Sequence, residues 1–145
     1  VDQIPVKRKN KKPSDRWFYY YVIRSGRKTI LVQRDQKDIW EGLYEPPMVE
    51  SGGPRSEEEI VGQMLPVLLQ ESEAGYGNSR KRIGELSAPI RHQLSHQTIH
   101  ARFLQLELDL LPHPLPEKWH AVPLEELDRF AMPRLIHRYL ESSNF

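Results

Sequence analysis

The sequence predicts an α+β fold, an α/β/α sandwich with a mixed, twisted β-sheet and two main helices. Three observations carry this. Strand formers from Trp17 to Ile23 meet a second run, Thr29–Val32, across the turn pair Ser25–Gly26. A capped amphipathic helix opens at Ser56. A long strand-like stretch, Thr98–Leu108, precedes a last helical segment that starts at Pro133.

Taken in order, residues 1–15 read as a basic linker. Lys7, Arg8, Lys9, Lys11 and Lys12 crowd together, and Pro13–Ser14–Asp15 follows as turn chemistry. The segment is either a solvated tether or an arm that runs near a polyanion. Residues 16–145 form one domain. Arg16–Arg24 and Thr29–Val32 make a hairpin whose aromatic rows belong to the core and to cross-strand packing. Residues 35–55 read as a long loop pinned by Ile39, Trp40, Leu43, Tyr44, Pro46 and Pro47, with Gly52–Gly53–Pro54 turning the chain.

Ser56-x-x-Glu59 is a capping box, and Ile60, Val61, Met64, Leu65, Leu68 and Leu69 follow at helical spacing. Pro66 lacks a backbone donor and should kink that helix or restart it. Residues 74–79 read as a loop and Lys81–Leu86 as a weak strand. Within Thr98–Leu108 the apolar phase is odd at Ile99, Ala101 and Phe103, then even at Leu104, Leu106 and Leu108. That slip predicts a bulge near Phe103. Pro112, Pro114, Pro116 and Pro123 break up the next stretch, leaving Trp119–Val122 as a short edge strand and Pro123–Leu127 as a helical turn. Behind Pro133, Leu135, Ile136, Tyr139 and Leu140 share one helix face.

Composition narrows the function classes. The 145 residues are 38% hydrophobic and 28% charged, with 21 Lys+Arg against 20 Asp+Glu. A chain this long and this apolar can bury a core, and its charge balance argues against a disordered chain. No stretch approaches the roughly 18 apolar residues of a membrane span. With no Cys, the chain has no disulfide, thiolate zinc site, thiol nucleophile or iron–sulfur cluster of its own. A reducing cytoplasm fits, and a monomer is expected. The first residues, Val1–Asp2–Gln3, include neither Met nor an apolar signal stretch, so an excised piece of a longer protein is expected.

The balance hides a polarity. Residues 50–73 hold Glu50, Glu57, Glu58, Glu59, Glu71 and Glu73 against Arg55. Residues 80–102 hold Arg80, Lys81, Arg82, Arg91 and Arg102 with His92, His96 and His100, against Glu85. Either these charges scatter over the surface, or the second segment attracts phosphates and the first repels them.

The order of elements suggests a Nudix (MutT-like) sandwich. The Nudix box reads Gly-x5-Glu-x7-Arg-Glu-U-x-Glu-Glu-x-Gly, with U aliphatic, and its carboxylates hold the divalent metals that polarise a pyrophosphate. Gly53 and Glu59 fit. Val67–Leu68 replaces the Arg-Glu pair, Glu71–Ser72 stands for Glu-Glu, and Ala74 stands for the Gly. One remaining helix carboxylate, Glu71, cannot hold a catalytic metal cluster, so no metal site is expected.

Two segments sharpen the resemblance. Ile30–Leu31–Val32–Gln33–Arg34 with Trp40–Glu41–Gly42–Leu43–Tyr44–Glu45–Pro46–Pro47 resembles a Leu…Arg…Trp-x-Gly-Leu-Trp/Tyr-x-x-Pro pattern. His92–Gln93–Leu94–Ser95–His96 is similar to a His-x-Phe-Ser-His loop. Both patterns belong to the C-terminal domain of MutY-type adenine DNA glycosylases, which recognises 8-oxoguanine. The resemblance runs from about Ile4 to Leu140.

It implies a lesion reader in bacterial base-excision repair, acting on duplex DNA that pairs 8-oxoguanine with adenine. Adenine is flipped out and excised by N-glycosidic hydrolysis. The resemblance places that step in an N-terminal domain of the same chain, with a catalytic carboxylate and an iron–sulfur cluster, and leaves no catalytic residue or cofactor here. 8-Oxoguanine offers N7–H as a donor and O8 as an acceptor where guanine offers N7 as an acceptor. A hydroxyl such as Ser95 can reverse its role and sense that change. His96 suits a phosphate, and Arg91 and Arg102 are further phosphate candidates. Leu94 stands where the family usually carries Phe. It can wedge between bases but lacks a π face. His92 either braces the loop or joins the contact, while Trp40 and Tyr44 read as packing anchors. Two other readings stay open: an active nucleotide pyrophosphatase with a displaced metal site among Glu57, Glu58, Glu59, Glu71 and Glu73, and a protein-interaction domain.

Overall fold

Phe18, Tyr19, Tyr20, Tyr21, Val22 and Ile23 are each at most 1% exposed. A strand achieves this only at the centre of a sheet covered on both faces. The computed structural model describes residues 14–73 and 81–143. These six residues lie in β1, Ser14–Ser25, the axis of an eight-stranded mixed sheet. Antiparallel to it run β2 (Lys28–Gln33) and β4 (Met48–Ser51). Along its other edge lies β7 (Gln97–Leu108), parallel, in unbroken register from Ser14↔Gln97 to Arg24↔Glu107. β3 (Tyr44–Glu45) and β8 (His120–Pro123) flank β2. β5 (Lys81–Leu86) and β6 (Ile90–Gln93) share the outer edge of β7.

Helix α1, Glu57–Glu73, covers one face, with Ile60 and Met64 over Tyr19, Tyr21, Ile23, Leu104, Leu106 and Leu108. Helix α2, Arg134–Ser142, covers the other, with Leu135 and Ile136 over Phe18, Tyr20, Val22, Ile99, Ala101 and Phe103. A short 3-10 helix, Leu124–Arg129, leads into it. The α/β/α sandwich read from the sequence is therefore the observed one. The buried tyrosines keep their hydroxyls bonded. Tyr21 donates to the Ile60 carbonyl at 2.6 Å, and Tyr19 accepts from the Arg55 N–H at 2.7 Å. Burial pushes the Tyr21 hydroxyl up to about 12.

Four expectations are corrected. β7 has no bulge at Phe103, because its register with β1 never slips. The phase change has another cause: α2 buries the odd residues of its first half and α1 the even residues of its second. The irregularity lies instead between Ile83 and Leu86 of β5. Second, the loop at 35–55 contains β3 and β4, since Met48–Ser51 docks on the free edge of β1 beside Trp17–Tyr20. Third, α1 does not restart at Pro66 but runs on as one helix from Glu57 to Glu73. Fourth, β1 starts at Ser14, so Ser14–Asp15 is strand rather than turn. The basic cluster Lys7–Lys12, the 74–79 loop and Arg80 lie outside the described residues.

Local chemistry agrees elsewhere. The capping box closes reciprocally, Glu59 N–H to Ser56 Oγ at 3.1 Å and Ser56 N–H to Glu59 Oε1 at 3.0 Å. Gly26, at φ +59°, takes the first of two turn residues between β1 and β2, the position where a hairpin most needs glycine. No helix among the described residues is long and apolar enough to cross a membrane.

Candidate nucleic-acid interface

The β6–β7 hairpin gathers Leu94, Ser95 and His96. Gln93 pairs with Thr98, and the Leu94 N–H donates to the Gln97 carbonyl at 2.7 Å. Only Ser95 and His96 are left at the tip. The Ser14 N–H donates to the His96 carbonyl at 3.2 Å, fastening the tip to the start of β1. Both tip side chains are exposed, and neither bonds to any described residue. A hydroxyl and an imidazole are thus presented on a backbone held from two sides.

The base of the tip is packed. Leu94 is half-buried against the α2-side core together with Ile39 and Trp40, so one side of it already serves the fold. His92 faces the same way, its ring 6.0 Å from that of Trp40. Trp40 in turn meets Phe18 edge-on at 6.1 Å. Arg91 points to the opposite face of the strand and has no partner among the described residues. Arg102 does not join the tip. It is half-buried, and its Nε donates to the Ser87 carbonyl at 2.7 Å. His100 is also engaged: it stacks on Trp17 at 5.0 Å, with Nε2 2.9 Å from Asp15. Tyr44 packs edge-on against Phe130, as an anchor should.

Sequence reasoning missed what holds this end of the sheet. Arg16 grips Asp38 with two nitrogens at 2.9 and 2.8 Å and Glu50 with two contacts at 2.8 Å. It also donates to Gln97 Oε1 at 2.9 Å, and Gln97 is the residue whose carbonyl closes the tip. Arg34 bonds Glu45 at 2.8 Å, Asp38 at 3.0 Å and the Ile39 carbonyl at 3.1 Å, pinning the loop that carries Trp40. Tyr20 donates to the other Glu45 oxygen at 3.0 Å. The available signal was Arg34 and Glu45 themselves, charged residues set among apolar neighbours. This network lines a cleft of about 390 Å³ with Met48 and Trp119. Its arginines are already matched by carboxylates, so the cleft is a brace.

The network sets an acid limit. The Arg16 guanidinium holds the Asp38 carboxyl down to about 2, against burial, which acts the other way. Burial pushes Glu45 up, with Arg34 opposing. Asp38 therefore contributes stability that is complete above its ordinary value of 3.8 and lost as pH falls towards about 2. Glu45 has the opposite sign and favours the fold less as pH rises through the carboxylate range. Asp38→Asn should flatten the loss of stability below pH 3.8 in urea titrations at stepped pH. An acid slope equal to the parent's would refute the assignment.

The Nudix-type metal does not fit this chain. The box positions on α1 offer Val67, Leu68 and Ser72 in place of donors or their partners, with Glu71 as the remaining carboxylate. Among the described residues, no group of three or more His, Cys, Asp or Glu could hold a metal ion.

No curated protein matches the chain. Similar solved structures include the C-terminal domain of mouse MUTYH in complex with human PCNA. It is 19% identical over 87% of this chain and 85% of that one, with a TM-score of 0.58. A MutT NUDIX hydrolase from Burkholderia pseudomallei is 13% identical over 90% and 98%, with a TM-score of 0.58. The NUDIX domain of Shewanella oneidensis NrtR, complexed with ADP ribose, is 12% identical over 92% and 88%, with a TM-score of 0.53. Identities this low establish a shared fold and nothing finer. The family model for the NUDIX domain matches residues 19–142, from the buried tyrosines of β1 to the last turn of α2, and the chain belongs to that family.

Proposed function

We propose that this NUDIX domain is the lesion reader of a MutY-type adenine DNA glycosylase, recognising 8-oxoguanine opposite adenine in duplex DNA. The observation that carries the reading is the Ser95–His96 tip, exposed and with side chains unbonded among the described residues, yet fastened through its backbone. Such a tip can enter a duplex without rearranging. Ser95 can accept from N7–H or donate to O8, whereas guanine presents only an acceptor at N7. His96 would meet a phosphate and set the register. Leu94 and His92, packed behind the tip, would fix its height, and Arg91 would add a backbone contact. Excision belongs to a separate catalytic domain of the same chain, with its carboxylate and iron–sulfur cluster. The substituted box residues support a role in binding rather than pyrophosphate hydrolysis.

The test is Ser95→Ala with His96→Ala in the complete glycosylase. A well-placed base contact gives about 1–3 kcal/mol of discrimination. The preference for 8-oxoguanine:adenine over guanine:adenine should shrink by roughly 5- to 150-fold, following tenfold per 1.4 kcal/mol. Single-turnover excision from guanine:adenine should survive, because the chemistry lies elsewhere. His96→Ala alone should weaken both substrates alike. Undiminished discrimination in the double variant would remove the basis of this reading. Magnesium-dependent turnover of a nucleoside triphosphate, abolished by Glu71→Gln, would replace it with a pyrophosphatase.

A further inference from the structure

We infer that Arg16 and Gln97 are positioning residues for the reading tip, and that Arg16 sets lesion specificity by holding Gln97 in one orientation. This rests on the duplex-reading role proposed above and adds to it the device that fixes the tip in space.

The guanidinium of Arg16 has every N–H group placed. Nε and Nη2 each donate to one Glu50 oxygen at 2.8 Å. Nη1 and Nη2 donate to the two Asp38 oxygens at 2.9 and 2.8 Å. The remaining donor, on Nη1, goes to Gln97 Oε1 at 2.9 Å. The ring of Phe18 lies under the same group, 5.0 Å from its Cζ. Two forked carboxylate pairs stop the guanidinium plane from turning, so the direction of the last donor is fixed. A guanidinium only donates, so Gln97 must keep its amide oxygen turned towards Arg16. Asp38 and Glu50 already match the charge of Arg16. What the neutral amide adds is a link to the tip.

The fastenings of the tip meet at Gln97. Its carbonyl accepts from the Leu94 N–H at 2.7 Å. Across the strands it pairs with Ser14, whose N–H reaches the His96 carbonyl at 3.2 Å. That bond is at the long end for N–H···O, so the charged donor on the Gln97 side chain is the firmer hold. Register brings the two residues within reach: Arg16 lies opposite Ile99, two positions along β7 from Gln97 and on the same face. The same knot carries the base of the tip. Asp38 Oδ1 accepts from the Ile39 N–H at 2.7 Å, and Ile39, Trp40 and Leu94 pack on one buried cluster. Arg16 therefore ties both the polar and the apolar side of the tip to β1. A loop ordered before it meets the duplex avoids the cost of ordering on binding. Guanine and 8-oxoguanine differ at N7 and C8, and a hydroxyl distinguishes them only if it is held still.

The experiment measures excision and affinity on 8-oxoguanine:adenine and guanine:adenine in the complete glycosylase. Gln97→Met keeps the side-chain length and the backbone carbonyl but removes the amide. It should shrink the preference for the oxidised pair by about 2- to 12-fold, the span of one net hydrogen bond, and leave guanine:adenine excision unchanged. Gln97→Glu keeps an acceptor for Arg16 and should keep the parent's preference, its added charge weakening both duplexes alike. Arg16→Lys keeps the charge but has too few donors for all these acceptors. Adding Gln97→Met to it should cost no further preference, as expected of two residues that act through one bond. In this chain, Gln97→Met should speed amide exchange at Leu94 but not at Tyr21, whose N–H bonds the Pro47 carbonyl at 2.8 Å in the core. Its thermal melt should stay near the parent's, because water reaches the freed donor on Arg16, 18% exposed. Full preference in Gln97→Met, with Ser95→Ala and His96→Ala still lowering it, would remove the positioning role and leave the lesion-reading role standing. Losses that add in the Arg16→Lys, Gln97→Met variant would separate the two residues and overturn the link. Full preference in both the tip and the Gln97 variants would overturn this inference and the reading beneath it.

Discussion

Replacing Arg34 by Met should destabilise the domain by about 3–5 kcal/mol, because it leaves a buried carboxylate without its counter-charge. Glu45 is 4% exposed, and Arg34 lies 2.8 Å away with its own side chain 11% exposed. Methionine keeps much of the volume, so the loss reports charge rather than a cavity. With folds of this size stable by about 5–15 kcal/mol, the change is a large share of the total. The penalty has a pH signature. Glu45 already binds its proton more tightly in the fold than in the open chain, and losing Arg34 strengthens that preference. The gap between parent and variant should therefore narrow as pH falls through the carboxylate range. Adding Glu45→Gln to Arg34→Met should recover part of the loss, since a neutral amide is cheaper to bury. Urea unfolding of the four proteins completes the cycle. A loss under about 1 kcal/mol would mean that water, rather than Arg34, compensates Glu45.

Trp40→Ala should cost about 3 kcal/mol, the low end for a large aromatic, because the ring is half-buried against Phe18 and His92. The backbone sharpens the test. Trp40 sits at φ +61°, where an L side chain is strained by about 1–2 kcal/mol. Its neighbour Gly42 shares the left-handed region at φ +84°. The usual order of Ala over Gly should fail here, so Trp40→Gly should be at least as stable as Trp40→Ala. The strain persists because the Arg34–Asp38 pair and the Arg34 bond to the Ile39 carbonyl hold the loop. Both variants should also loosen the tip, seen as faster amide exchange at Leu94. A thermal melt equal to the parent's would show that the indole is not an anchor. A clearly less stable glycine variant would show that the strained backbone is not what Trp40 contends with.

Patterns local in the chain were legible. Ser56 and Glu59 are three residues apart and bond as the capping box requires. The apolar stripes of α1 and α2 follow helical spacing, and Gly26 marks a turn only a few positions wide. The aromatic run of β1 announced a core strand, and burial on both faces came only with the structure. The loop at 92–96 was recognisable by its residues, and the hairpin places Leu94, Ser95 and His96 together because they are consecutive.

Patterns that depend on a partner far along the chain were not legible. The slip of phase in β7 mimicked a bulge, since a single strand does not show which helix lies over which half. Met48–Ser51 looked like loop because its pairing partner, Trp17–Tyr20, is some thirty residues earlier in the sequence. Arg16 carried no signal of its own, yet it joins Asp38, Glu50 and Gln97 across separations of 22, 34 and 81 residues. Arg91 and Arg102 looked equivalent in a basic segment. Tertiary packing gave Arg102 to a carbonyl and left Arg91 without a partner among the described residues. By itself, then, the sequence determined the first hairpin, the two helices, the long strand, their order and the residues of the 92–96 loop, because propensity, capping and alternation act within a few positions. Only the tertiary structure decided which charges are matched and which stay free, because Coulomb and hydrogen-bond partners are chosen by distance in space.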